Sequence, residues 1–316
     1  MKIKEIGEFG LIDRITRKQN NKEVIVGIGD DAAVFQTTIG LQVLTTDCLV
    51  EGDHFKREWF SSEQIGMKAI EINVSDIAAM GAKPKYVLVS MALPIDLDVE
   101  FVDGLYKGMW KSCSKYKIEI IGGNMTHCNK IVISITLTGE VNKKKLSLRS
   151  GAKPGDFIFT SGHLGFGKAG LRLFQEKIKG FEKVKKAYLE PKAQLKTALD
   201  IAQYVNSLID ISDGLGPEIR HICKQSGCGA IIYKDKIPIS EEVRNVADKL
   251  GEDEYNYALF GGEDFQLLFT VSKENIDKVK GFLIGEIIKN KKISLFYNGK
   301  KKEIKEKGYD HFSRGI

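Results

Sequence analysis

The sequence predicts an α/β (α+β) protein built from two domains. Stretches with the apolar pattern of strands alternate along the chain with stretches that have the periodicity of helices. The chain has 316 residues, 42% hydrophobic and 28% charged, which suits one large globular domain or two of ordinary size. A cluster of turn-forming residues at 150–156 follows a basic hairpin near the middle of the chain. We therefore predict domains at 1–149 and 150–316.

The predicted elements of the first half end in polar turns, where binding residues tend to lie. A glycine-rich turn with two acids follows the first strand, and hydroxyls and an acid end the second. In order, we predict two strands within 24–47 (24–31 and 41–47), a helix over 62–80, a strand over 86–93, a helix over 98–116, a strand over 118–121 closed by Gly122-Gly123-Asn124, and a strand over 130–141.

The helix predicted over 62–80 carries the most informative charge of the chain. Ser61 is a good N-cap residue, and Glu63 adds an acid to the first turn. At about 100° per residue, one narrow polar face results. It consists of Gln64, Lys68, Glu71 and Ser75. Asp76 falls outside it on the apolar side, where a carboxylate either is buried at high cost or faces a cation. The alternative is a helix-terminal Asp that bonds a nearby backbone group or Lys.

The second half resumes the alternation of strands and helices without a strict repeat. Ser75-Asp76 and Ser212-Asp213 both lie at element junctions, as do Gly122-Gly123 and Gly261-Gly262, so we infer two similar halves. In order, we predict a strand over 157–160, a glycine loop, helices over 167–177 and 193–206, a strand over 208–211, a helix over 217–225, a strand over 229–233, a helix over 240–250, a strand over 265–271 and a strand-rich tail.

The composition argues against several classes of function. No apolar run of about 18 residues occurs, so we expect no membrane span and, without the apolar core of a signal peptide, no secretion. Five cysteines without a Cys-x-x-Cys pair favour reduced thiols in a cytoplasmic protein. Cys113, His127 and Cys128 are a minor alternative as metal ligands. The net charge of +6 comes partly from lysines at 143–145 and 300–302, predicted to be solvated turns rather than a nucleic-acid site.

The glycine loop of the second half matches two phosphate-binding patterns. Residues 162–168 fit G-x-x-x-x-G-K, but Ala169 follows, so the hydroxyl that would hold magnesium is missing. Residues 165–170 fit G-x-G-x-x-G without an acid at the expected distance. We favour a tight strand-to-helix turn, with both nucleotide interpretations as alternatives.

Acidic residues gather beside Gly, Ser or Thr at predicted strand ends and turns, where backbone can approach a ligand closely. They are Asp30, Asp31, Asp47, Asp76, Asp210, Asp213, Glu263 and Asp264. Mg²⁺ takes oxygen ligands and commonly bridges one or two carboxylates to substrate phosphates. Many carboxylates with few basic side chains therefore indicate a site where several Mg²⁺ ions neutralise a polyphosphate.

Seven segments together resemble the thiamine-monophosphate kinase family, within the aminoimidazole-ribonucleotide-synthetase-like superfamily. They occur in the family's order at 27–34, 45–55, 73–82, 149–156, 210–215, 261–265 and 308–312. The resemblance implies an N-terminal ATP- and metal-binding domain with a mixed sheet that pairs in a homodimer, and a C-terminal α/β domain. It also implies ATP-dependent phosphorylation of thiamine monophosphate to thiamine diphosphate, by direct in-line transfer with several Mg²⁺ ions. A requirement for K⁺ is left open.

The resemblance assigns roles to individual residues. The metal ligands would be Asp30, Asp31, Thr45, Thr46, Asp47, Asp76, Asn124, Asp210 and Asp213, with Asp47, Asp76 and Asp210 at the centre of catalysis. The ATP contacts would be Tyr106, Gly123, Asn124, Arg149 and Ser212. The thiamine contacts would be His54, Glu263 and Phe312.

Two positions depart from the family pattern. Asn124 stands where the family has Asp, which removes one charge from the metal site, and Glu306 stands where an aromatic residue often covers the substrate. The alternatives are another ATP-using member of the superfamily, such as a selenide-activating or hydrogenase-maturation protein, and a nucleotide-binding homologue without turnover.

Overall fold

The computed structural model describes residues 22–27, 30–38 and 40–304. It contains two mixed β-sheets, one in each half of the chain. The first half contains β1 (Val24–Val26), β2 (Ala33–Thr37), β3 (Gly40–Val50), α1 (Ser62–Ala79), β4 (Lys83–Leu93), α2 (Val99–Tyr116), β5 (Glu119–His127) and β6 (Val132–Val141). Its strand order is β1-β2-β3-β6-β4-β5, and only the β4–β5 pair is parallel.

The register of β3 decides which of its side chains can meet the helices. Successive side chains of a strand point to opposite faces of the sheet. Thr45 and Leu49 are buried beneath α1, and Asp47 shares their face. Thr46 and Cys48 alternate with them and point to the outer face. The strand therefore presents Thr45 and Asp47, but not Thr46, to the side where α1 lies.

Helix α1 forms over nearly the predicted residues. Ser61 caps it, because its hydroxyl accepts the amide of Gln64 at 3.2 Å and the Gln64 side chain accepts the amide of Ser61 at 3.1 Å. Ile70 and Ile77 pack into the core of the first half, whereas Ala78 contacts a cluster of apolar residues from the second half. Because α1 lies between the two halves, both sides of the helix are buried.

The second half has a larger sheet with helices around it. It contains β7 (Phe157–Thr160), α3 (Phe166–Gln175), α4 (Glu182–Leu189), α5 (Leu195–Ile201), β8 (Ser207–Asp210), α6 (Leu215–Ser226), β9 (Gly229–Tyr233), α7 (Glu241–Leu250), α8 (Glu254–Phe260), β10 (Leu267–Val271), β11 (Phe282–Ile288), β12 (Ile293–Tyr297) and β13 (Lys300–Glu303). The strand order is β13-β12-β9-β11-β7-β10-β8, with only β9 and β12 parallel.

The predicted end of a strand at Ile121 is wrong, because β5 continues through Gly122-Gly123-Asn124 to His127. The strand pairs in parallel with β4, and a bulge at the start of this run absorbs one residue. A Cβ at Gly123 would lie 1.8 Å from the Val89 carbonyl oxygen. The glycine that looked like a turn signal is thus required by a close approach of two strands.

Several further boundaries differ from those predicted. The two strands predicted within 24–47 are three, since the acids at 30 and 31 separate β1 from β2. Helix 193–206 is shortened to α5, and the short helices α4 and α8 were not predicted. The lysines at 143–145 form an exposed turn as expected, but those at 300–302 lie in β13, an edge strand whose charge disfavours further pairing.

Among the residues that the structure describes, no helix combines the length and apolar character that crossing a membrane requires.

Candidate active site

Three carboxylates from distant parts of the chain meet between the two halves. Asp31 precedes β2, Asp76 lies in the last turn of α1, and Asp210 ends β8. Each offers an oxygen, and these oxygens lie within 4.8 Å of one another. Across the described ranges of the chain, this is the one group of His, Cys, Asp and Glu side chains found close enough to hold a metal ion. The alternative ligand set Cys113, His127 and Cys128 therefore gains no support.

Hydroxyl groups orient two of these carboxylates. Thr45 Oγ1 donates to Asp76 Oδ2 at 2.6 Å, and Ser75 Oγ donates to Asp210 Oδ2 at 2.5 Å. The second bond joins helix α1 to the sheet of the other half. Because Ser75 and Asp76 are adjacent, one turn of helix positions carboxylates from both halves.

Arg149 holds the third carboxylate. Its Nε and Nη2 atoms each lie 3.0 Å from an oxygen of Asp31, in a bidentate pair, and its backbone amide donates to Asp30 Oδ1 at 2.7 Å. Paired forks of this kind combine strength with a defined orientation. Arg149 therefore brings one positive charge directly to the acids.

The acidic residues destabilise one another's charged forms. Burial raises the pKa of Asp76 well above its ordinary value, and the charges of Asp47, Asp210 and Asp31 raise it further. Burial likewise raises the pKa of Asp210, with Asp31 adding to the effect. A divalent cation removes this repulsion, and a donor set made only of oxygen suits Mg²⁺. The residues present therefore fit magnesium.

A buried glutamate supports the loop after β8. Glu218 Oε1 accepts the backbone amide of Asp213 at 2.9 Å, and the Glu218 side chain is only 2% exposed. Burial raises the pKa of Glu218 well above its usual range, and the charge of Asp213 adds to this. Our sequence reasoning did not single out Glu218. The available signal was an acid in the first turn of α6, just after Ser212 and Asp213.

A cavity of about 280 Å³ adjoins the acids. Its lining includes Asp47, Ser212 and Asp213 as well as His54 and Glu263. The structure therefore brings two residues assigned to the metal, Asp47 and Asp213, to the same cavity as two assigned to the thiamine end. The arrangement can hold cations beside an organic molecule.

Other predicted site residues lie elsewhere. Thr46 Oγ1 donates to the Ile135 carbonyl at 2.8 Å on the outer face of the sheet. Gly123 and Asn124 lie on β5, three strands from β3, which places them about 14 Å from it. Tyr106 packs against Trp110 on α2, with 5.6 Å between the two ring centroids. Phe312 lies outside the described residues. These roles stay predictions.

The glycine loop of the second half already binds an internal carboxyl group. Asp264 accepts the amides of Gly165 and Gly167 at 2.7 and 3.0 Å. Burial raises the pKa of Asp264 to about 7, although these amides act in the opposite direction. Amides that a phosphate would need are thus occupied, which supports the structural-turn interpretation.

Comparison with known proteins agrees with this geometry. Family models for AIR synthase related proteins match residues 29–141 (N-terminal domain) and 153–297 (C-terminal domain). The thiamine-monophosphate kinase of Aquifex aeolicus is 40% identical over 99% of this chain and 100% of that protein. Those of Bacillus subtilis and Escherichia coli are 35% and 32% identical, over 96% and 97% of this chain and 99% and 98% of theirs.

Solved structures show the same fold. AaThiL complexed with AMPPCP and TMP superposes with a TM-score of 0.90 at 40% identity, covering 98% of this chain and 99% of that one. The hydrogenase maturation protein HypE in complex with ATP shares the fold at 22% identity, with a TM-score of 0.70 over 90% of this chain and 89% of its own.

The two matched domains and the acids between them define an AIR synthase related protein of the α/β class, which confirms the predicted fold. Thiamine-monophosphate kinases from several bacteria are similar to this chain over nearly its full length, which identifies the family within this class. The chain belongs to the thiamine-monophosphate kinase family.

Crowding of the acids predicts that Asp76→Asn stabilises the metal-free protein. The pKa values of Asp76 and Asp210 are raised in the folded state. The wild-type fold is therefore most stable at low pH, where both carboxyl groups are protonated, and it loses stability as pH rises through those pKa values. We expect the variant to gain about 1–2 kcal/mol at about pH 8 and nearly nothing at about pH 4.

Thermal and denaturant unfolding with EDTA measure this difference. Added Mg²⁺ is expected to stabilise the wild type more than the variant, because the variant lacks one of the three carboxylates that fit the ion. Asp96→Asn, at an exposed loop position, is the control. Equal stabilities of wild type and Asp76→Asn at both pH values would contradict the electrostatic account.

Proposed function

We propose that this protein transfers the γ-phosphoryl group of ATP to the phosphate of thiamine monophosphate, giving thiamine diphosphate and ADP. The observation that carries the proposal is the meeting of Asp31, Asp76 and Asp210 between the halves, beside the cavity lined by Asp47 and Asp213. Family membership supports the same substrates, since a relative is complexed with AMPPCP and TMP. We further propose a cytoplasmic enzyme, consistent with its five free cysteines.

Transfer between two phosphates demands charge neutralisation more than a nucleophilic side chain. The oxygens of Asp31, Asp47, Asp76, Asp210 and Asp213 would hold several Mg²⁺ ions, with Thr45 and Asp30 in support. Bound magnesium would supply positive charge to the transferring phosphoryl group and to both anionic reactants. The protein's own task is to place these oxygens, and it does so with elements from both halves.

The cationic and polar groups of the site would orient the reactants for in-line transfer. Arg149, which now forms a bidentate contact with Asp31, would bind a phosphate of ATP once magnesium neutralises that carboxylate. Ser212 lies on the loop that Glu218 supports. The acceptor oxygen already carries negative charge, so no general base is needed.

The thiamine end would lie against His54 and Glu263. His54 Nδ1 accepts the amide of Val50 at 3.1 Å, so a neutral imidazole carries its proton on Nε2. Glu263 reaches the same cavity from the other half. Thiamine monophosphate bound in this cavity would therefore meet the Nε2–H group of His54 from the first half and the carboxylate of Glu263 from the second half.

We propose that the outer faces of two N-terminal sheets pair in a homodimer. Large apolar side chains of β3 and β4 remain 36–46% exposed on this face. They are Leu44, Tyr86 and Leu88. Exposed apolar surface beside an unpaired edge strand is typical of an interface.

A substitution on this face tests the dimer. We expect light scattering to give twice the chain mass for the wild type, and Leu88→Glu to weaken the dimer at least about a hundredfold, because it buries a charge. Ile95→Glu changes an exposed apolar residue in a loop and should stay dimeric. A monomeric wild type at micromolar concentration would refute the pairing.

Turnover of ATP, Mg²⁺ and thiamine monophosphate tests the proposed reaction. We expect thiamine diphosphate and ADP in equal amounts, and we expect Asp47→Asn to lower kcat at least about a hundredfold because it removes charge beside the transferring group. Asp248→Asn, on the exposed side of α7, should match the wild type. Tight ATP binding without product would instead favour a nucleotide sensor, for which Asn124 is the motivating residue.

A further inference from the structure

A buried lysine connects the two halves beside the cavity. Lys68 of α1 is only 1% exposed. Its ammonium donates to Glu263 Oε1 at 2.6 Å and to the backbone carbonyl of His54 at 3.1 Å. The rings of Phe60 and Tyr188 have their centroids 5.3 and 5.2 Å from the same nitrogen. The charge is thus enclosed by a carboxylate, a carbonyl and two aromatic rings.

An ammonium in this position needs its partners. A buried charge is strongly unfavourable unless an opposite charge and hydrogen bonds compensate it, and aromatic rings contribute a weaker attraction. The two oxygen partners of Lys68 belong to His54 in the first half and Glu263 in the second. One ammonium therefore determines how far apart the two residues assigned to the thiamine end lie.

The backbone of Glu263 is held as firmly as its side chain. Glu263 has a φ of +58°, in the left-handed region that residues other than glycine seldom adopt. Its amide donates to the carbonyl of Ser212 at 2.7 Å. A Cβ at the preceding Gly262 would lie 2.5 Å from that same Ser212 oxygen. The loop that carries Glu263 is thus packed directly on the loop that carries Ser212 and Asp213.

We propose that Lys68 is a positioning residue for the acceptor: its ammonium holds the Glu263 carboxylate and the His54 loop at the separation that thiamine monophosphate requires. The proposal rests on the proposed function and extends it to a residue that was assigned to neither the metal site nor the ATP site. Lys68 is among the residues around the cavity, but its side chain is only 1% exposed, so it acts through its two partners. Glu263, whose side chain is 31% exposed, presents the paired carboxylate to the cavity.

The proposal predicts a selective loss in acceptor binding. Lys68→Met keeps the length of the side chain and removes the charge. We expect KM for thiamine monophosphate to rise at least about tenfold, while KM for ATP stays within about twofold. Lys115→Met is the control, because it breaks another lysine–carboxylate pair, between Lys115 of α2 and Glu71 of α1 at 3.0 Å, and neither residue lines the cavity. It should leave both KM values unchanged.

A double-mutant cycle separates positioning from a general structural role. If Lys68 acts through Glu263, the KM effects of Lys68→Met and Glu263→Gln should combine to clearly less than the product of the two single effects, the remainder reflecting the bond to the His54 carbonyl. Additive effects, or equal rises in KM for both substrates, would overturn the proposal. If Lys68→Met does not fold, Lys68→Arg keeps the charge but alters its geometry, and the same selectivity for thiamine monophosphate over ATP is required of it.

The outcome remains distinguishable from failure of the proposed function. If the wild type turns over and Lys68→Met has unchanged KM values, the positioning role is refuted and the kinase activity stands. If the wild type shows no turnover, the proposed function is refuted. Calorimetric titration of thiamine monophosphate into wild type and Lys68→Met would then still measure whether Lys68 supports binding, and equal affinities or no binding to either would refute the proposal.

Discussion

The structure depends on a polar face of α1 that is buried against the second half of the chain. Along successive turns, Gln64 donates to Glu190 at 3.1 Å, Lys68 to Glu263 at 2.6 Å, and Ser75 to Asp210 at 2.5 Å. Between them, Glu71 accepts the amide of Ala193 at 2.9 Å. Each of these four side chains has a partner in the other half, and Lys68 and Glu71 have further partners in the first half. The interface is directional and determines how the halves meet.

This constraint explains where the chemistry lies. An apolar interface would tolerate small shifts, whereas a row of short hydrogen bonds does not. Ser75 bonds to Asp210 and is adjacent to Asp76, and about two turns earlier Lys68 bonds to Glu263. The clustered acids and the wall of the adjoining cavity are therefore positioned by the same helix. Their separation is determined by the rise of an α-helix.

A feature could be predicted from the sequence when it depends on residues close together in the chain, and it was missed when it depends on contacts between distant segments. Helix α1 has a local cap and local periodicity, so its limits were predictable, and the acids stood out by their place in turns. The path of β5 depends on a parallel neighbour, and Gly123 therefore looked like a turn although the strand continues. Periodicity detected the polar face of α1 but does not distinguish water from a second domain. Glu218 was missed because its role arises only when α6 packs behind the Ser212 loop.

The site is held in an arrangement that its own charges oppose. Burial and mutual repulsion raise the pKa values of Asp76 and Asp210, yet Ser75, Thr45 and Arg149 keep the carboxyl groups together. Hydrogen bonds from hydroxyls and a guanidinium offset part of the repulsion, and a bound cation would offset the rest. In the proposed reaction, oxygens that are already in place would need little movement to take up magnesium. The stability lost at the acids is therefore the physical basis of the response to divalent ions that we expect.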